Sequence, residues 1–170
     1  MISKNYIDKI ANTAATSPTN NIPQPTEDQK KSGTYKKGHL TLHGLKIAIE
    51  NPKDSVRSGV DGSGKPWSIK MKSHYGYILG TVGKDKDHVD IFIGPNPNSE
   101  KAYIVNQKNS EGGFDEHKIL AGWDKFPDAV KGYLDNYEKG WDMISSVHQS
   151  DIAGLKNWLK NGNTKVPFKG

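Results

Sequence analysis

His74-Tyr-Gly-Tyr-Ile-Leu-Gly-Thr-Val-Gly-Lys-Asp-Lys-Asp-His-Val-Asp90 runs strand, turn, strand, and it places three aspartates at the join. The alternation of Val89, Ile91 and Ile93 sends one face of the second strand into a core and leaves Asp90 on the other face. Asp85 and Asp87 sit on the turn. Carboxylates this close repel: two unit charges about 4 Å apart cost roughly 4 kcal/mol at an effective dielectric near 20. Either Lys84 and Lys86 swing over the turn and pair with them, or a hard divalent cation such as Mg²⁺ takes the oxygens. The spacing does not fit the helix-loop-helix calcium loop, which needs more oxygen ligands and a closing Glu.

Tyr75-Gly-Tyr-Ile-x-x-Thr81 followed by Asp85-x-Asp87-x-Val-Asp90 resembles the signature of soluble inorganic pyrophosphatases, a Tyr-Gly-Tyr strand followed by Asp-x-Asp-Pro-x-Asp. With its flanks, from about Gly38 to Trp141, the chain is most similar to the pyrophosphatase-like domain carried by phage and mobile-element polyvalent proteins. The resemblance implies a five-stranded OB-like barrel and metal-assisted hydrolysis of a phosphoanhydride, most simply inorganic pyrophosphate to two phosphates. It implies Mg²⁺, with Mn²⁺ or Zn²⁺ as alternatives. Asp85, Asp90 and Glu116 then hold the first metal, with Asp90 bridging towards a second and Glu111 serving a further one. Asp87, also counted with the metal carboxylates, orients or deprotonates the attacking water. Lys118, Tyr75 and Tyr137 hold phosphate oxygens and stabilise the leaving group. Glu50, in a first-strand Glu-x-Pro, stands behind the metals.

The chain departs from the pattern at several points. His88 replaces the motif proline, Glu111 and Glu116 replace two aspartates, and Glu138 replaces the lysine of a closing Tyr-Lys pair. For the family's arginine and lysine ahead of Tyr-Gly-Tyr, Arg57, Lys70 and Lys72 are substitutes by position, and Arg57 is carried as a substrate-binding residue. These departures keep two other readings open: a non-catalytic barrel that binds metal or nucleotide inside a phage assembly, and a hydrolase of nucleotides or polyphosphate. His74, His88 and His117 each lie beside a proposed site residue, and imidazoles with carboxylates also suit zinc or manganese.

Composition narrows the class. The chain has 170 residues, 33% of them hydrophobic, a net charge of +5 and no cysteine. That length suits one domain. The lysines are scattered with no basic run, so a small anionic substrate explains the charge and nucleic acid is not indicated. No disulfide framework or cysteine metal site exists. No apolar stretch is long enough to span a membrane and no hydrophobic signal core opens the chain, so a cytoplasmic protein is expected, with homo-oligomerisation left open.

Residues 1–32 read as a flexible N-terminal arm and linker: a short helix from Ile2 to Ala15 with Ile2, Tyr6 and Ile10 on one face, then a segment rich in Pro, Asn and Thr. Residues 33–170 read as the barrel domain. Leu40 and Leu42, then Leu45, Ile47 and Ile49, alternate on either side of a bend at His43-Gly44. Asp61 to Pro66 is a turn, after which Trp67, Ile69 and Met71 oppose Ser68, Lys70 and Lys72. Lys101 to Gln107 is a strand, and a turn at Glu111-Gly-Gly opens another that ends near Trp123. Helical periodicity covers Phe126 to Glu138 and Ser150 to Lys160. The expected architecture is mainly β within the α+β class: a small antiparallel barrel with two C-terminal helices outside.

Overall fold

The computed structural model describes residues 2–170. His43 (φ 50°) and Gly44 (φ 83°) both take left-handed backbone and turn β1 (Gly38–Leu42) back into β2 (Leu45–Asn51), so the expected bend is a two-residue hairpin. A second hairpin joins β3 (Val56–Val60) to β4 (Pro66–Lys70), its turn closed by the Asp61 carboxylate accepting from the Ser63 and Lys65 amides. The Tyr-Gly-Tyr run is β5 (His74–Ile78), followed by β6 (Val89–Ile93), β7 (Lys101–Lys108) and β8 (Phe114–Ala121). Gly76 is where β5 meets β2 most closely: a Cβ there would stand 1.9 Å from the Ala48 carbonyl oxygen. No residue with a side chain fits that crossing.

These strands, without β3 and β4 but with a further strand β9 (Ile144–Asp151), form one seven-stranded sheet in the order β1-β2-β5-β6-β8-β7-β9. Every pair is antiparallel except β6 and β8, which run parallel with Asp90 opposite Lys118. The sheet is therefore mixed, which corrects the all-antiparallel expectation, and among the described residues no pairing of β1 with β9 closes it. Strands β5 to β8 are buried on both faces. One face carries Ile78, Val89, Ile91, Ile93, Ile104 and Ile119 against Ile7 and Leu155 of the flanking helices. The other carries Tyr75, Phe92, Val105 and Leu120 against Tyr133.

The helices differ from expectation in extent and in role. α3 (Phe126–Leu134) stops four residues short of Glu138, because Asn136 turns its side chain back to the Gly132 carbonyl and accepts from the Lys72 and Ser73 amides. α4 (Ile152–Asn161) starts on an Asp151 cap, whose carboxylate accepts from the Gly154 amide. At the other end, α1 (Lys4–Ala11) packs on β1 with Ile7 and Ala11 fully buried. Of the residues read as one face, Ile2 and Ile10 pack against the core, whereas Tyr6 is 52% exposed. The following stretch is folded as well: Asn20 donates to the Asn12 and Ala14 carbonyls, and Thr26 and Gln29 form a capping box for α2 (Glu27–Ser32). Residues 4–16 thus pack against the sheet through α1 and Thr16, and the Asn and Thr that suggest a linker by composition are spent on local hydrogen bonds.

Candidate active site

The parallel pairing of β6 with β8 sets Asp90 beside Lys118, and antiparallel pairing of β5 with β6 brings Tyr75 to the same face. The Lys118 ammonium, whose residue is 3% exposed, lies 2.6 Å from Asp90 Oδ2, 2.5 Å from Glu116 Oε1 and 2.8 Å from Tyr75 Oη. Tyr75 Oη donates to Asp90 Oδ2 at 2.8 Å. Arg57 reaches in from β3, donating to Tyr75 Oη at 3.4 Å. On the far side Gln107 of β7 donates to the hydroxyls of Tyr133 and Tyr137, which fixes Tyr137 just beyond the end of α3. A register shift between Ile49 and Asn51 leaves Glu50 as the extra residue of a bulge, a common way to re-aim a side chain at a site. Its carboxylate accepts from Tyr35 Oη at 3.2 Å.

Charge explains how these groups are held. Burial works against a cation at Lys118, but Asp90, the surrounding phenols and Glu116 hold its pKa well above the ordinary lysine value, so it stays an ammonium. Arg57 behaves likewise: burial opposes its charge, and Tyr75, Tyr137, Asp90 and Glu50 outweigh burial. Burial pushes the Tyr75 phenol well up, keeping it a neutral donor. Burial also raises Glu50 and Glu116, with the Asp90 charge adding to each and the Asp85 charge adding to Glu116. Two fixed cations therefore face a group of carboxylates under mutual strain.

Of the residues assigned from sequence, Tyr75, Asp90, Glu116, Lys118 and Arg57 meet in this cluster, and Tyr137, Glu50 and Asp85 stand within electrostatic reach of it. Asp87 lies on the exposed turn, where its amide donates to Asp85 Oδ1 and its carbonyl accepts from the Gly83 amide. Lys84 does not pair with the aspartates; its ammonium bonds the Phe114 carbonyl and so ties the turn to β8. Glu111 stands exposed at the tip of the β7–β8 hairpin. Lys70 and Lys72 are solvent-facing. The three histidines go separate ways: His74 bonds Asp8 and the Lys53 amide, His88 stacks on Tyr77 at 4.7 Å, and His117 is wedged between Phe114 and Trp158. They form no common imidazole site. Tyr35, Gln107 and Tyr133 are additions that the sequence hides, the first ahead of the first strand at the edge of the domain and the others through contacts across 26 to 30 residues.

Among the described residues no three His, Asp or Glu groups converge closely enough to grip an ion as they stand. The donor set nevertheless suits a hard divalent cation: it is all carboxylate oxygen, and the raised Glu50 and Glu116 are the groups whose repulsion a cation relieves.

A search of curated proteins finds no match. A crystal structure described as an inorganic phosphatase from Anaplasma phagocytophilum is similar at 20% identity over 69% of this chain and 90% of that one, with a TM-score of 0.37. The profile described as Inorganic Pyrophosphatase matches residues 27–160. That match takes in all nine strands, α3 and every residue of the Lys118 cluster, and by it the chain belongs to the inorganic pyrophosphatase family.

Proposed function

We propose that the chain hydrolyses inorganic pyrophosphate to two phosphates with the help of a divalent cation, Mg²⁺ first and Mn²⁺ or Zn²⁺ as alternatives. The observation that carries this reading is the buried Lys118 ammonium, kept charged between Asp90 and Glu116 and bonded to Tyr75. A multiply anionic substrate needs fixed positive charge that costs nothing to reorganise, and Lys118 and Arg57 supply it. Tyr75 and Tyr137 add neutral donors for phosphate oxygens. Asp85, Asp90 and Glu116 are the oxygens available to a first cation, with Asp87 and Glu111 on exposed turns for others and Glu50 behind them. When bound, such a cation screens the substrate and lowers the pKa of water. Asp87, facing solvent on its turn, takes the proton from the attacking water.

The finer kinship to the phage and mobile-element branch, the closure of the sheet into an OB-like barrel and a cytoplasmic setting belong to the same proposal. It is supported there by the motif residues and by the apolar cluster that joins β1 and β2 to β5 through β8. Among the described residues no helix is long and apolar enough to cross a membrane.

Phosphate release from pyrophosphate, measured with Mg²⁺, Mn²⁺ and Zn²⁺, tests the reading. Turnover should fall about 10²-fold or more in Asp87→Asn, the usual effect of removing a general base. Background release with every metal, or equal activity in wild type and Asp87→Asn, counts against the activity or the assigned base respectively.

A further inference from the structure

The hairpin of β3 and β4 is not part of the main sheet, yet it delivers Arg57 to the site. A long side chain on a separate two-stranded hairpin needs restraint to hold one position. The Arg57 guanidinium carbon lies 4.4 Å from the Tyr75 ring centroid and 5.2 Å from that of Trp67. Trp67 sits opposite Gly59 in the hairpin register, while Arg57 sits opposite Ile69, so the indole reaches Arg57 diagonally across β3. Gly59 makes that possible. A Cβ at Gly59 would stand 2.8 Å from Trp67 Cζ2 and 3.0 Å from Cε2, so any larger residue lifts the indole off the strand.

We propose that Trp67, seated on Gly59, is a positioning residue that clamps the Arg57 guanidinium against Tyr75 and thereby sets the affinity of the site for phosphate oxygens. Guanidinium groups are weakly hydrated and stack on aromatic rings. Held against the two rings and with one N–H given to Tyr75 Oη, Arg57 keeps its remaining N–H groups for oxygen acceptors, the groups through which arginine binds phosphate. The arrangement is made before substrate arrives, so the ordering cost is not charged to binding. This inference rests on the reading of the site as one that takes pyrophosphate.

The test is a comparison of Trp67→Leu, Trp67→Phe and Gly59→Ala. Trp67→Leu keeps apolar bulk and removes the ring, so KM for pyrophosphate should rise on the order of tenfold with kcat within about twofold, the pattern of lost uniform binding. Gly59→Ala should move KM the same way, and Trp67→Phe should restore most of the affinity. In an Arg57→Ala background Trp67→Leu should add nothing, because the interaction it removes is already gone. A second readout is independent of turnover: the Arg57 Nε–H resonance of the free protein should carry ring-current shifts that Trp67→Leu reduces. An unchanged KM, additive effects of Arg57→Ala and Trp67→Leu, or an unmoved Nε–H resonance each overturns the clamp. Absence of all pyrophosphate turnover in wild type overturns the functional reading instead, and the resonance still decides the clamp.

Discussion

Lys118 and its neighbour His117 show how differently two adjacent residues of one strand are used. Lys118 faces the carboxylates and is stabilised as a cation, whereas His117 points the other way, 4% exposed, into a pocket of Phe114 and Trp158. Neither ring nitrogen finds a hydrogen-bond partner of good geometry, the Val166 backbone beside it included. Burial pushes the His117 pKa down from 6.5 to about 4. The sign of the pH effect follows. Between those two values the unfolded chain binds a proton at this residue and the folded chain does not, so folding stability falls as pH drops below about 6.5. At about 1.4 kcal/mol per pKa unit the loss amounts to roughly 3 kcal/mol by pH 4. His117→Leu should flatten that part of the stability profile and raise stability at neutral pH by about 1 kcal/mol or more, since an unsatisfied polar group leaves the core. Urea titrations of both proteins at several pH values measure it; parallel profiles would show that His117 stays neutral in neither state or both.

At the scale of elements, the N-terminal segment is where structure and sequence part most. α1 buries Ile7 and Ala11, Asp8 bonds His74 at the start of β5, and Thr16 donates to the Glu50 carbonyl beside the site. A fully buried isoleucine alone is worth about 1.5 to 3 kcal/mol. A chain beginning at Gly33 should therefore lose several kcal/mol of stability, with Glu50 less well held, and a denaturant midpoint equal to that of the full chain would contradict this. The helix was legible in the sequence, and Ile2 and Ile10 of the face it indicated do pack against the core, but Tyr6 does not. Its fully buried residues are Ile7 and Ala11, and an alanine adds little to an apolar stripe, while Tyr6 advertises a face it does not bury. β9 was not legible at all. Ile-Ser-Ser-Val-His-Gln-Ser-Asp has apolar residues three apart rather than two, and the strand is held by backbone pairing to β7 at the sheet's edge. By contrast the hairpin at His43-Gly44, the Asp61 turn and the Asp151 cap carry their instructions in one or two residues, and each forms where the sequence indicates.

At the scale of the whole molecule, the candidate site exists because the sheet is mixed. Asp90 and Lys118 are 28 residues apart and become direct neighbours only through the parallel pairing of β6 with β8, which alternation within a strand does not encode. Motif resemblance identified both residues, and the topology explains why they meet. The same topology brings Asp90 and Glu116 onto Lys118, with Glu50 and Asp85 within electrostatic reach, a set with more carboxylate than the two cations offset comfortably. A divalent cation binding there stabilises the folded state by mass action, about 2.7 kcal/mol at a hundredfold excess over its dissociation constant. For a chain of this size that is a rise in melting temperature of about 5 to 10 °C. Mg²⁺ or Mn²⁺ at millimolar concentration should produce such a rise in wild type, and Asp90→Asn should abolish most of it. Asp90→Asn also removes a partner of Lys118 and lowers the melting temperature without metal, so the decisive quantity is the metal-induced increment in each protein, not the baseline. A wild-type melting temperature that stays flat as the cation is added, or an undiminished increment in Asp90→Asn, would take these carboxylates out of the metal's coordination.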